Sequence, residues 1–580
     1  MRRFREPTYL PQFSTMDDFS NYCLPNPILD AVTAEYATLE QELDIALASS
    51  NTSDDALRAI VGKWDHIRRR LESWSNLVEI RFNQETNDPD FKAAQDYRDE
   101  IAPKLTELNV RIQKKLVETP LRPRLEEIFG AHAFQLWEVQ NSTFDPCIHD
   151  DLVQESKLVS RYNELTASAK VEFQGEEYNL SSIAKFEEHA DRDVRYGAAR
   201  AVWQWFAANR VELDQIFDEL VTLRHGIAQK LGFDSFVELA YRRMSRTDYG
   251  SEDVARYREE VREHVVPLCR EIHRTQEDTL NLEDLMFWDE GLFDSAGNPT
   301  PQGSYEKQIE LAQQMFNDMN VDLGKFFQLM CEKNLLDLKI RPWKAGGGFC
   351  SSLPSEELPF IFANFNGSKG DVEVFTHEMG HAFQCYSSFD GAALLEHVWP
   401  TYEACEIHSM SLEFLTWPHM EMFFGDAAER FRRIHLLTSL LFLPYGVAVD
   451  HFQHAIFAEP DATPERRHAI WQEMERLYLP DTNYGDLPHV SSGGRWQQKR
   501  HIYMSPFYYI DYTLAQCCAL QFWVRSERDF ATAMQDYVDL CKRGGTMPFS
   551  GLVDSAGLKN PFKPGSLKEV VQQAREYLKL

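Results

Sequence analysis

The chain of 580 residues has no CxxC pair, no run of 18 apolar residues, no internal repeat and no low-complexity tract. Without CxxC pairs a thiolate zinc site is disfavoured. The ten cysteines are scattered, and the adjacent Cys517 and Cys518 in an apolar run read as buried thiols. That usage suits a reducing compartment, so a cytoplasmic location is expected. Without a long apolar run no membrane-spanning helix is expected. The start, MRRFREPTYLPQF, is basic but no apolar stretch follows before Asp17 and Asp18, so no signal peptide is read there. Basic residues are in short supply: 60 Lys+Arg stand against 91 Asp+Glu, a net charge of −31. A field of that sign repels phosphate backbones and anionic lipid heads, so neither a nucleic acid nor a membrane surface is an expected partner. What remains, 43% hydrophobic and 26% charged, is globular and excludes a disordered chain, a collagen and a small disulfide scaffold.

Helical periodicity dominates the first third. Leu57, Ile60, Trp64, Ile67, Leu71, Trp74 and Leu77 recur every three or four residues, and so do Ala94, Tyr97, Ile101, Leu105, Leu108, Ile112 and Leu116. The polar stretch Asn83 to Pro89 between them predicts a long antiparallel hairpin whose tryptophans pack helix on helix. Val171 to Leu180, with Gly175 at the turn, reads as a short β-hairpin. Helices are expected over roughly 187–230, 252–282 and 304–332, with a loop from Phe287 to Gly303. The organisation that follows is an N-terminal helical region, 1–190, and a second region, 191–580. Near 340 the character changes. Lys344-Ala-Gly-Gly-Gly-Phe-Cys350 can bring backbone close to a ligand or turn freely. Pro359 to Phe365 is a short apolar run of β character, followed by the turn signal Asn366-Gly367. Such a strand can hold an extended peptide by edge pairing, or pair only within its own sheet.

Residues His377-Glu378-Met379-Gly380-His381 form HExxH. Positions four apart share a helical face, so both imidazoles can converge on one metal ion, and Glu378 can reach a water at that ion. Chance produces the pentapeptide in roughly one chain of this composition in twenty, so the motif alone does not decide. Asp371 and Glu373 near the helix start suit its dipole. A catalytic zinc site needs a third protein ligand and one open position. The extended pattern HExxHxxGxxH is excluded, because Gln384 and Ser387 stand at its last two fixed positions. The carboxylates available downstream are Glu396, Glu403, Glu406 and Glu413. Glu406 and Glu413 are seven apart on a predicted helix and share one face. Carboxylates on a buried face are costly unless they bind metal or are hydrogen-bonded, which favours Glu406 as ligand and Glu413 as the group that orients a histidine. The run from His501 to Tyr512 adds an imidazole and the phenols of Tyr503, Tyr508, Tyr509 and Tyr512. These can donate to an oxygen that gains charge, although an aromatic core segment competes with that reading.

Together these stretches resemble the thimet-oligopeptidase-like zinc metallopeptidases, and most of all their oligoendopeptidase F branch. The resemblance rests on LKIRPWKAGGGFC (338–350), PFIFANFNG (359–367), VFTHEMGHAFQ (374–384), EACEIHSMSLEFL (403–415) and HIYMSPFYYIDYTLAQ (501–516). It implies a mostly α fold: two helical lobes enclosing a deep substrate channel, with a small β-sheet beside the HExxH helix. It implies one zinc ion per chain on His377, His381 and Glu406, with Glu413 behind them and Glu378 as general base. It further implies that His501, Tyr509 and Tyr512 serve the transition state, the register of the tyrosines being open. Substrate contacts are expected at Gly347, Gly348, Phe349, Phe362, Ala363, Asn364 and Tyr508. Two departures stand out. Met504-Ser505-Pro506 replaces the glycine-rich loop found after the histidine in thimet oligopeptidase, and Gln384 stands where many members carry a further histidine. The implied activity is zinc-dependent hydrolysis of internal bonds in short oligopeptides. A zinc carboxypeptidase of similar helical fold and a non-catalytic zinc-containing peptide-binding protein are the alternatives. An acidic channel would favour basic peptides.

Overall fold

A computed structural model describes residues 16–580, so the N-terminal segment read above for a targeting signal lies outside the described residues. The architecture is mostly α, with two small sheets. The chain divides into two compact units. One comprises the residues up to Asn141 with Thr300–Gly425 and Arg525–Leu558; the other comprises Ser142–Pro299, Asp426–Val524 and Lys559–Leu580. Packing therefore does not follow the consecutive regions 1–190 and 191–580. The early helices share a core with residues far along the chain, as Leu394 does with Trp64 and Trp137.

In the first unit the expected hairpin forms from α1 (Asp54–Gln84) and α2 (Pro89–Glu118). Each starts on a side-chain cap. Ser53 accepts from the amide of Ala56, and Asp88 accepts from those of Asp90 and Phe91, with Pro89 in the first turn. The α1 stripe from Leu57 to Leu77 is buried throughout, and Trp64 meets Trp137 edge to face at 5.3 Å. The tryptophans are core residues, as the periodicity implies.

Beyond the hairpin lies a three-stranded sheet of β1 (Leu336–Lys339), β2 (Phe349–Leu353) and β3 (Leu358–Phe365), in the order β1-β3-β2. The strand β3 is central, parallel to β1 and antiparallel to β2. This corrects the expectation that 359–365 offers a pairing edge: both of its sides are taken. The turn at Asn366-Gly367 leads into a helix, α3 (Lys369–Phe389), and does not close a hairpin. The Asp371 carboxylate accepts from the amides of Asn366 and Gly367 at 2.9 and 2.7 Å, while Glu373 pairs with Lys369 at 3.0 Å. A second helix, α4 (Tyr402–Leu415), packs against α3.

In the second unit the long helix α5 (Ala428–Ala458) supplies much of the core. The stretch Glu421–Ala458 is long and apolar enough to cross a membrane by length and composition, but 67% of its most apolar window is buried, as in a core helix. The hairpin Val171–Phe173 with Glu176–Tyr178 turns at Gln174 and Gly175, both left-handed (φ 52° and 83°), which suits a tight two-residue turn. The three long helices expected downstream are each interrupted. Asn209 parts Arg192–Ala208 from Arg210–Lys230, a π-turn at Val261–Val265 divides the second, and in the first unit Asn320 caps Val321–Glu332 by accepting from Asp322 and Leu323. Asparagine competes with the helical backbone for hydrogen bonds, so a period of 3.6 can run on through the break. Among the described residues no disulfide forms; Cys517 and Cys518 are buried thiols.

A buried charge cluster ties α1 to the segment before α4. Arg68 stacks on the Trp64 ring at 3.7 Å and donates to Asp65 at 2.6 Å and to Glu396 at 2.9 Å, while Trp137 donates to Glu396 at 2.7 Å. Burial alone would raise the Glu396 pKa, but Arg68 and Trp137 hold it below 4.5. Removing Glu396 leaves the buried Arg68 guanidinium with Asp65 alone, a carboxylate that Arg69 already shares. We expect Glu396→Ala to cost about 3–5 kcal/mol in denaturant unfolding, with amide exchange in α1 accelerating first. A midpoint unchanged from wild type would contradict this account.

Candidate metal centre

The HExxH residues sit one turn apart on α3, whose Phe375, Met379, Ala382 and Phe383 are buried and fix its orientation. Glu406 reaches them from α4. One of its oxygens, Oε2, lies 3.3 Å from His377 Nε2 and 3.4 Å from His381 Nε2. One donor atom from each of the three residues lies within 4.8 Å of the others. For bonds of about 2.0–2.2 Å in a tetrahedron, ligand atoms stand about 3.3–3.6 Å apart. The two distances to Glu406 match that edge, and two imidazoles with a carboxylate are a donor set that zinc accepts. The residues therefore fit a single divalent ion.

Their surroundings are ordered to serve them. Glu413 Oε1 lies 2.8 Å from His377 Nδ1, which leaves Nε2 facing Glu406. Ser409 donates to Glu406 Oε2 at 2.9 Å. Burial opposes charge on His377, yet Glu406 and Glu413 hold its pKa well above 6.5. Burial would also raise the Glu406 pKa, but His381 and His377 hold it well below 4.5. Glu378 is 6% exposed, and its Oε2 has no hydrogen-bond partner among the described residues. Burial raises its pKa above 4.5. Of the other carboxylates weighed from sequence, Glu396 belongs to the Arg68 cluster and Glu403 is buried at the start of α4.

The glycine loop comes up to this carboxylate. A side chain at Gly348 would meet Val374 at 3.2 Å, the carbonyl of Phe362 at 3.4 Å and Glu378 Oε1 at 3.5 Å. Gly347 and Gly348 are exposed and Phe349 is half-buried, stacked on Phe362 at 4.8 Å. Phe362 and Ala363, in contrast, are fully buried in β3, and the Ala363 carbonyl accepts from Lys344. They brace the loop and do not offer side chains to a ligand. Asn364 has the same bracing part, donating to the carbonyls of Ala345 and Gly347 at 2.9 and 2.8 Å.

The second expected cluster belongs to the other unit. His501, in the short helix Arg500–Met504, lies with its ring 5.9, 5.1 and 5.8 Å from those of Tyr508, Tyr509 and Tyr512. Tyr509 and Tyr512 open the helix α6 (Tyr509–Ser526). Burial, aided by Lys499 and Arg500, lowers the His501 pKa to about 4, so the ring is neutral near pH 7. The approach to α6 is held taut: Phe507 is left-handed (φ 67°), its amide donates to Gln453 at 2.9 Å and its carbonyl accepts from Arg246 at 2.6 Å. Arg246 also pairs with the fully buried Asp511 at 2.7 Å. Met504-Ser505-Pro506 thus leads into a clamped turn.

The profile of Peptidase family M3 matches residues 185–571, and that of the Peptidase M3 N-terminal domain matches 19–144. The chain belongs to Peptidase family M3. It is similar to a solved structure assigned as an oligoendopeptidase F, with 43% identity over 97% of this chain and 98% of that one and a TM-score of 0.90. PZ peptidase A, solved with an inhibitor, shows 41% identity over 97% and 99% of the two chains, also with a TM-score of 0.90. A protein of Bacillus anthracis str. Ames, likewise assigned as an oligoendopeptidase F, shows 39% identity over 98% and 99%, with a TM-score of 0.86. No curated protein sequence matches the chain. The protein is accordingly a peptidase, and the resemblance carried by the five sequence stretches holds.

Gly380, inside the motif, was not singled out by the sequence reading. A side chain there would stand 2.5 Å from the carbonyl of His408 and 2.6 Å from the Cα of Ser409. Its missing methyl is what lets α4 come close enough for Glu406 to reach both histidines. The signal was available, since an interior helix glycine costs about 1 kcal/mol relative to alanine and so calls for a packing reason. Arg246 and Gln453 were unreadable, because each acts on a segment more than 50 residues away. We expect Gly380→Ala to weaken divalent-ion affinity by ~10–100-fold, measured by competition with a chromogenic chelator. Helix propensity alone would instead leave affinity unchanged and raise stability.

Proposed function

We propose that the chain is a zinc-dependent endopeptidase that hydrolyses internal bonds of short oligopeptides. The observation that carries this reading is the convergence of His377, His381 and Glu406 beside a buried Glu378 carboxylate whose Oε2 has no hydrogen-bond partner among the described residues. A purely structural ion is normally closed by a fourth protein ligand and has no use for such a carboxylate.

In this reading His377, His381 and Glu406 hold the ion, and Glu413 fixes the His377 ring by accepting from Nδ1. When bound, zinc supplies a Lewis acid that polarises the scissile carbonyl and makes water acidic enough to attack near neutral pH. Glu378 takes a proton from the attacking water at its carboxylate and passes it to the leaving amine. Its burial, which favours the protonated form, makes it a stronger base for the first half of that cycle. His501 with Tyr509 or Tyr512 donates to the carbonyl oxygen as it gains charge; the lowered His501 pKa supports a neutral donor there. The exposed Gly347 and Gly348 and the half-buried Phe349 are proposed to meet the peptide backbone, and with β3 enclosed the pairing edge falls to β2. Tyr508 keeps a proposed substrate contact. The relatives assigned as oligoendopeptidases support oligopeptides as the substrate class.

Peptide cleavage that is lost with a chelator and restored by zinc, with internal cuts mapped by mass spectrometry in a mixed peptide pool, is the expected result. Cuts confined to the C-terminal residue would make the protein a carboxypeptidase. Glu378→Gln should lower turnover by at least ~10²–10⁴-fold with zinc still bound stoichiometrically. Cleavage by that variant at the wild-type rate would refute the base. Glu413→Ala should weaken zinc binding by ~10–100-fold, read from the chelator concentration that halves activity.

A further inference from the structure

From Asp486 to Asp511 the chain runs without an acidic residue between those two, yet it carries Arg495, Lys499 and Arg500. In a protein of net charge −31 this is an island of positive charge, and it holds the His501 cluster. Lys499 is its most unusual member. Among the described residues no carboxylate lies within 4 Å of its half-buried ammonium. Nζ lies instead over the rings of Tyr445 and Tyr509, at 5.1 and 4.9 Å, and 3.2 Å from the Tyr509 hydroxyl. Buried cations are ordinarily paired with an anion. Here the partner is a phenol.

The direction of that hydrogen bond is fixed by chemistry. An ammonium has three donors and no acceptor, so the Tyr509 oxygen accepts. Its own O–H must then point away from Lys499, and no acceptor for it is found among the described residues. The ring cannot turn to find one. It is 7% exposed and wedged between Phe442, Tyr445, His501 and Tyr512, at centroid distances of 5.7, 5.9, 5.1 and 5.8 Å. The adjacent cation also stabilises negative charge on the phenol oxygen, which makes the O–H a stronger donor to an oxygen that is itself becoming anionic.

We infer that Lys499 is a positioning residue for catalysis, which aims and strengthens the Tyr509 hydroxyl as the donor to the scissile carbonyl oxygen. This rests on the peptidase reading above, and it selects Tyr509 over Tyr512 for that part. The Tyr445 ring, 5.1 Å from Nζ and itself packed edge-on against Tyr509, also holds Lys499 in place.

The test is a double-mutant cycle in the zinc-loaded full chain. Tyr509→Phe should lower kcat by ~10²–10³-fold. Lys499→Met should lower kcat by about tenfold or more, with KM within a factor of about three, and Lys499→Arg should recover most of the loss. The double variant should be no slower than Tyr509→Phe alone, since Lys499 acts through that hydroxyl. Multiplying losses, a change in KM alone, or full activity in Tyr509→Phe would overturn the assignment while leaving the peptidase reading intact. Absence of chelator-sensitive cleavage by the wild type would overturn both. If Lys499→Met fails to fold, Lys499→Gln enters the same cycle, with the same outcomes deciding.

Discussion

Everything at the metal centre depends on the contact between two helix backbones. Where α3 crosses α4 the interval is set by Gly380, which faces the His408 carbonyl and the Ser409 backbone with nothing between. Only at that distance does a glutamate side chain, three carbons beyond its Cα, bring an oxygen within 3.3–3.4 Å of both imidazoles. The crossing also brings Glu413, two turns along α4, to the far nitrogen of His377. One missing methyl group thus places a candidate ligand, Glu406, and the partner of another, Glu413 beside His377. Midway along α4 the Tyr537 hydroxyl donates to the same His408 carbonyl at 3.0 Å, a second hold on the stretch of helix that faces Gly380.

The two functional clusters spend polarity differently. At the metal centre each buried charge has a counter-charge: Glu406 with its histidines, and His377 with Glu413. The exception is Glu378, whose free oxygen is an energetic cost that a resting protein has no reason to bear. In the tyrosine cluster the cation Lys499 has phenols for company, and the neighbouring imidazole is kept neutral by burial and by that cation. Unmet hydrogen-bonding capacity at two places, one an acceptor and one a donor, is the form that the roles proposed for Glu378 and Tyr509 require.

Much of this was legible in the residues themselves, because the features concerned repeat over short distances. The α1–α2 hairpin followed from two apolar stripes and a polar linker, and its caps Ser53 and Asp88 stand where capping residues should. HExxH places two ligands through a spacing of four, and Glu406 and Glu413 share a face through a spacing of seven. What could not be read is what depends on distant pairing. The apolar run 359–365 looks the same whether a strand is central or at an edge; its place between β1 and β2 depends on residues 336–339 and 349–353. The interruptions at Asn209 and Asn320 were hidden because apolar spacing continues across them.

The enclosure of β3 changes what the glycine loop is for. Were β3 an open edge, its backbone could pair with an extended peptide and the loop would be a cover. Instead Lys344 and Asn364 spend their donors on holding the loop to β3, through the carbonyls of Ala363, Ala345 and Gly347. The loop is then a rigid extension of the sheet, and its last glycine lies against Glu378. Backbone without side chains, fixed next to the carboxylate proposed as the base, leaves open space beside that carboxylate and a surface of exposed main chain, which suits the proposed peptide contact. A side chain at Gly348 would take that room first, meeting Val374 on one side and the Phe362 carbonyl on the other. The glycines thus serve the same end as Gly380: in both places the missing side chain lets two groups approach more closely than any other residue would permit.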